Sequence, residues 1–94
     1  MSDADIKEMA FYVVMHKDFP NLDRSEAVEL GKSVCKAIDE SKGSVKQMAM
    51  TVLLLRKQAG SPFAKFTEAQ IGKLIGASVS SFCPEYKDQV DALS

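Results

Sequence analysis

The residues of this sequence best equipped for chemistry are two cysteines, Cys35 and Cys83, and a single histidine, His16. Two thiols and one imidazole fall short of the four ligands of a structural zinc site, and no paired spacing links them, so neither a metal nor a cofactor is expected. A nucleophilic Cys35 would need a lowered thiol pKa, whereas Glu29, Asp39 and Glu40 bring negative charge close to it in the chain. His16 closes an apolar run at what reads as a helix end, where a cation more often compensates the helix dipole than acts as a general base. Serine and aspartate are frequent enough that a Ser-His-Asp set can be assembled from almost any such sequence, which gives that set no weight. Gly72 and Gly76 fall inside a helical pattern and not ahead of one, so they form no phosphate loop. The chain is therefore expected not to be an enzyme. What remains for the cysteines is a cross-link or a pair of buried thiols.

The elements that must carry these residues announce themselves at their ends. Asp23 with Glu26, Ser44 with Gln47 and Thr67 with Gln70 each place a short polar residue three positions before Glu or Gln, the reciprocal capping box of a helix N-terminus. Phe66 and Ile71 add a hydrophobic staple to the last of these. Ser2 followed by Asp3 and Asp5 marks a further start, with acids where the helix dipole favours them. The matching stops are Asp18-Phe19-Pro20-Asn21, Ser41-Lys42-Gly43 and Gly60-Ser61-Pro62. Pro84 bends the chain into a short last helix over roughly residues 85–92. No segment alternates with period two. The expected fold is all-α: a single domain over 1–94, a compact bundle of four helices plus a short C-terminal helix.

With 94 residues, 46% hydrophobic and 27% charged, the composition is that of one globular domain. A chain of this size buries only about 60–65% of its unfolded surface, so a covalent staple matters more than in a large protein. Twelve Lys and Arg against 13 Asp and Glu leave a formal net charge of -1, which disfavours a surface built to neutralise phosphates. Nucleic acid is not an expected partner, and the connection from Gly60 to Phe66 is too long for a helix-turn-helix. The apolar run Ala10 to Met15 is too short to span a bilayer, so membrane insertion is not expected. Met1-Ser2-Asp3-Ala4-Asp5 has neither the basic region nor the apolar stretch of a secretory signal, and the chain as written reads as cytoplasmic.

Each helix shows an apolar stripe that is expected to face inward. Ile6, Met9, Ala10 and Val13 form one on the first helix, with Phe11, Val14 and Met15 adding apolar surface around its side. The third helix, carrying Val45, Met48, Ala49, Val52, Leu53 and Leu55, is expected to be the most central. Ala27, Gly31 and Cys35 stack small side chains along one line of the second helix, and Gly72 and Gly76 open a similar line toward Cys83 on the fourth. Glycine inside a helix costs about 1 kcal/mol relative to alanine, and close helix packing at Ala27, Gly31, Gly72 and Gly76 would offset that. If the third helix runs down between them, the second and fourth helices are adjacent and parallel. Both cysteines then lie at the same level, within the roughly 7 Å Cα separation that a Cys35–Cys83 disulfide needs. Two free thiols packed as small hydrophobes explain the same residues equally well at this point.

The stretch Ala27-Val28-Glu29-Leu30-Gly31-Lys32-Ser33-Val34-Cys35-Lys36-Ala37-Ile38, then a polar turn, a third helix and Ala77-Ser78-Val79-Ser80-Ser81-Phe82-Cys83-Pro84, resembles a small actinobacterial domain family of unknown function. That family, found mostly in short exported mycobacterial proteins, looks like G-x-x-V-C-x-x-L near its middle and A-x-x-x-[YF]-C-P near its end. The resemblance covers roughly residues 6–86. It implies an all-helical fold with Cys35 and Cys83 bridged, and it supplies no catalytic residue. The sequence departs from the family in having no signal peptide, and a phage-borne member would account for that.

Among function classes, a protein-binding or accessory domain has the most support. Phe63, in the loop after Pro62, and Phe11, Val14 and Met15 on the first helix exceed what one small core needs and form the expected partner surface. Packing two copies through the first helix as a homodimer accounts for the same excess. A carrier of a small apolar ligand is suggested by Met9, Met15, Met48 and Met50, and a cytosolic regulator with free thiols is the remaining alternative.

Overall fold

The computed structural model describes residues 2–58, 60–61 and 63–93. Four helices start at the expected residues because side chains satisfy the first free backbone N–H groups. The Asp23 carboxylate accepts from the Glu26 N–H at 2.8 Å and the Thr67 hydroxyl accepts from the Gln70 N–H at 3.1 Å, each with the reciprocal bond in place. Ser2 and Asp5 form the same box. Ser44 forms half of one: its hydroxyl accepts from the Gln47 N–H at 3.2 Å, but its own N–H is given to the Ser41 carbonyl at 3.1 Å. These caps open α1 (Asp3–Asp18), α2 (Arg24–Glu40), α3 (Val45–Leu55) and α4 (Glu68–Phe82). After Cys83 a 3-10 turn, Pro84–Tyr86, leads into α5 (Lys87–Leu93). Among the described residues there is no strand.

The ends differ from expectation in one place. The α3 helix stops at Leu55 and not near Gly60, as the chain tightens into three-residue turns at Lys57 and Gln58. Arg56 anchors this exit by donating to the Phe66 carbonyl at 3.2 Å and pairing with Glu68 at 3.7 Å. Pro62, read as part of that stop, lies outside the described residues. After α2 the chain reverses through Lys42 (φ 58°) and Gly43 (φ 76°), and the Gly43 N–H caps the Ile38 carbonyl at 2.9 Å.

Polar and aromatic contacts set the topology. At one end Asp18 of α1 holds Lys73 of α4 at 3.0 Å; toward the other, the rings of Phe11 and Phe82 lie 4.9 Å apart. Glu8 likewise reaches Lys32 of α2 at 3.3 Å. The α1 helix is thus antiparallel to both α2 and α4, which leaves α2 and α4 parallel, and these two share the most extensive contact in the molecule. The central helix is therefore α4 and not α3, whose Met50, Leu54 and Leu55 remain exposed. The core is closed by Phe11, Met15, Ile38, Met48, Ile71, Leu74 and Val79, all essentially without exposure. Phe66 meets Phe19 edge-on at 4.8 Å and closes the end of the core beside the start of α4.

Candidate binding surfaces and the disulfide clasp

Cys35 sits in the last turns of α2 and Cys83 caps α4, and parallel packing brings their Cα atoms to 6.0 Å, where the two residues are joined as a disulfide. Oxidised in this way, neither sulfur is a nucleophile or a metal ligand. Counted back from Cys83, the alanine of the A-x-x-x-[YF]-C-P pattern falls on Ser78 and not on Ala77. Ser78 is fully buried, its hydroxyl donates to the Leu74 carbonyl at 2.6 Å, and its own carbonyl lies 3.6 Å from Cys35 Sγ. Full burial at that point leaves room for a small side chain whose one hydroxyl is satisfied within its own helix.

Two further ties flank the bridge. The Tyr86 hydroxyl donates to the Asp39 carboxylate, joining the 3-10 turn to the end of α2. That bond raises the phenol's pKa above its ordinary value of 10.0, with desolvation and the negative charges of Asp39 and Glu85 adding to it. Gln89 of α5 accepts from the Val45 N–H at 2.9 Å and donates to the Gly43 carbonyl at 2.8 Å. The clamp by Gln89 carries no signal in the sequence.

The small residues divide into two kinds. Ala27 is buried, and Gly31 lies under aromatic rings: a Cβ placed there would come within 2.6 Å of Phe11 Cζ and 2.8 Å of Phe82 Cε2. Gly72 and Gly76 do not serve close packing, since a Cβ at either position meets no atom within 4 Å. Gly72 instead opens the floor of an apolar groove of about 460 Å³ between α3, α4 and α5, lined by Val45, Ala49, Ile75, Val90 and Leu93, with Lys73 at its edge. Gly76 lines a shallow trough beside Val14.

The expected partner surface is corrected at two of its four residues. Phe11 and Met15 are core side chains, because Phe11 fills the space that Gly31 leaves vacant and Met15 continues the same inward line. Phe63 is half-buried, packed on the core with its ring 6.5 Å from that of Phe66. Only Val14 is exposed, at 54%. The stripe expected to face inward points out: Ile6 is 53%, Met9 41% and Val13 60% exposed, and Ala10 lies among them. Sequence reasoning found this stripe but assigned it to the wrong side of the helix.

Among the described residues the titratable groups form no constellation beyond surface pairs. His16 is exposed, with its ring 5.4 Å from that of Tyr12. Among the described residues no three His, Cys, Asp or Glu side chains are grouped to hold a metal ion. Within the same residues no helix is long and apolar enough to cross a membrane.

Residues 7–85 match the family model described as "Protein of unknown function (DUF732)", which spans α1 to the 3-10 turn and includes both cysteines. The chain belongs to the DUF732 family. No curated protein and no solved structure matches it. The DUF732 match ends at Glu85, so the disulfide lies within the family's own span while α5 and its Gln89 clamp lie beyond it.

Proposed function

We propose that this DUF732 chain is a non-enzymatic helical module that docks onto another protein through the outward face of α1. The observation that carries the reading is the line of Ile6, Met9 and Val13, three large apolar side chains left in solvent on one helix of a small domain. Its composition supports the same reading, because a charge of -1 and scattered surface pairs favour a protein surface over nucleic acid. The resemblance to exported actinobacterial proteins, together with the bridged cysteines, supports action in an oxidising compartment outside the cytoplasm. The test is affinity capture from an actinobacterial culture, with the intact chain and its Val13→Glu variant as parallel baits. A protein retained by the first and lost with the second supports docking through α1.

A second reading rests on the groove over Gly72, whose volume and apolar lining suit a small apolar molecule. Native mass spectrometry of protein purified without detergent distinguishes the two. A lipid-like molecule that co-purifies and is lost on Gly72→Leu, with no Val13-dependent partner captured, replaces docking by carriage.

A further inference from the structure

We infer that the partner of the outward α1 face is a second copy of this chain, packed with its own α1 antiparallel across a two-fold axis. The inference rests on the docking reading above and names the partner. Ile6, Met9 and Val13 lie roughly 170° around the helix from Phe11 and Met15 at about 100° per residue, so a neighbour can cover the stripe without disturbing the core. What selects a copy is the charge at the rim. On one flank of the stripe stand Asp5 and, about three turns later, His16; on the other stand Asp3 and Lys17. A two-fold axis perpendicular to the helices keeps each flank on its own side and reverses its order. Asp5 then meets His16 of the second copy, and Asp3 meets its Lys17. Both pairs share a midpoint beside Ala10, and the same centre sets Ile6 against the second copy's Val13. One register thus pairs the apolar stripe, sets the Asp3 and Lys17 charges opposite each other and brings the Asp5 carboxylate to the His16 ring, as an isologous interface requires.

The same pattern argues against a lipid surface. An interfacial helix carries Lys and Arg along both flanks of its apolar face, whereas Asp3 and Asp5 would set carboxylates against anionic headgroups.

Sedimentation equilibrium of the intact, oxidised chain from about 1 µM to about 1 mM, the range of weak interfaces, tests the inference. The expected result is a mass that rises from one chain to two, and a Val13→Glu variant that stays monomeric with unchanged helical circular dichroism. Asp3→Lys and Lys17→Glu should each weaken self-association about fivefold to tenfold, because each creates like-charge pairs. Mixing the two variants should restore association, since Lys at position 3 of one chain then meets Glu at position 17 of the other. A monomer throughout the range, a dimer indifferent to Val13→Glu, or a mixture no tighter than its components would each overturn the inference. If the chain is monomeric yet captures a Val13-dependent partner, the two-fold fails and docking stands. If it is monomeric and captures none, both fail.

Discussion

Replacing Gly31 with alanine adds one methyl group at a crowded point between α1, α2 and α4. The new carbon would lie 2.6 Å from Phe11 Cζ, 2.8 Å from Phe82 Cε2 and 2.9 Å from Phe11 Cε1. Comfortable carbon contacts begin near 3.5 Å, so the Phe11 ring would have to retreat by roughly 1 Å. It has no room for that, being fully buried. Overpacking of this kind costs about 1–3 kcal/mol, here toward the upper end, and alanine's better helix propensity returns about 1 kcal/mol. The net expectation is a loss of about 1–2 kcal/mol. Gly72→Ala is the internal control: nothing lies within 4 Å of its new carbon, so the same chemical change should gain about 0.5–1 kcal/mol. For a domain of this length 1 kcal/mol moves Tm by about 4–8 °C, which separates the two variants by roughly 10–20 °C. Thermal circular dichroism on oxidised protein reads the difference directly. A Gly31→Ala protein as stable as the parent, or a Gly72→Ala protein less stable than it, would refute the division of the glycines into packed and open.

Other perturbations probe the clasp. Cys35 and Cys83 are 48 residues apart in sequence, and closing such a loop is worth about 4 kcal/mol of unfolded-state entropy. Replacing both with alanine should lower the urea unfolding free energy by about 2–4 kcal/mol, and a loss under about 1 kcal/mol would contradict that role. Tyr86 should ionise above pH 10.0 in an ultraviolet titration, and its late step should vanish in Tyr86→Phe and move down in Asp39→Asn. Because the folded pKa is the higher one, this bond's stabilisation is fully present below the unfolded tyrosine pKa and is lost as pH rises through the folded value. Equal alkaline transitions in the parent and Tyr86→Phe would count against it. Gln89→Ala removes two bonds that tie α5 to the α2–α3 turn, and hydrogen exchange in α5 and at Val45 should accelerate about tenfold, with α1 unchanged.

How much of this was legible in the sequence depends on the range of the interaction. The caps at Ser2, Asp23 and Thr67 join residues three apart, so their side chains find their partners whatever the rest of the chain does. Even here the Ser44 box is only half formed, because a turn bond from Ser44 to Ser41 competes for the N–H that Gln47 would have accepted. The inward face of α1 was not legible, because apolar residues stand on both sides of that helix and helical spacing admits two solutions. Shape decides between them, as only a large flat ring fills the recess over Gly31. Gly72 and Gly76 misled for a related reason: a missing side chain announces space, and only tertiary structure says whether a neighbour or solvent fills it. The disulfide could be anticipated in part, because the cysteines lie toward the C-terminal ends of two helices whose direction follows from the number of segments between them, but only the family resemblance favoured a bridge over two free thiols.

The bridge also divides the chain into covalent compartments. Everything from Cys35 to Cys83, with α3, the long connection and α4, lies inside a closed ring, whereas α1 hangs outside it on the short link from Phe19 to Asp23. A protease that cuts once within the long connection leaves a two-stranded molecule still held by its sulfurs. One that cuts near Pro20 releases α1 and with it Phe11 and Met15, two of the largest side chains of the core. A single cut in the five-residue link from Phe19 to Asp23 therefore severs α1 from the covalent ring, which a cut in the long connection does not do to any helix within it.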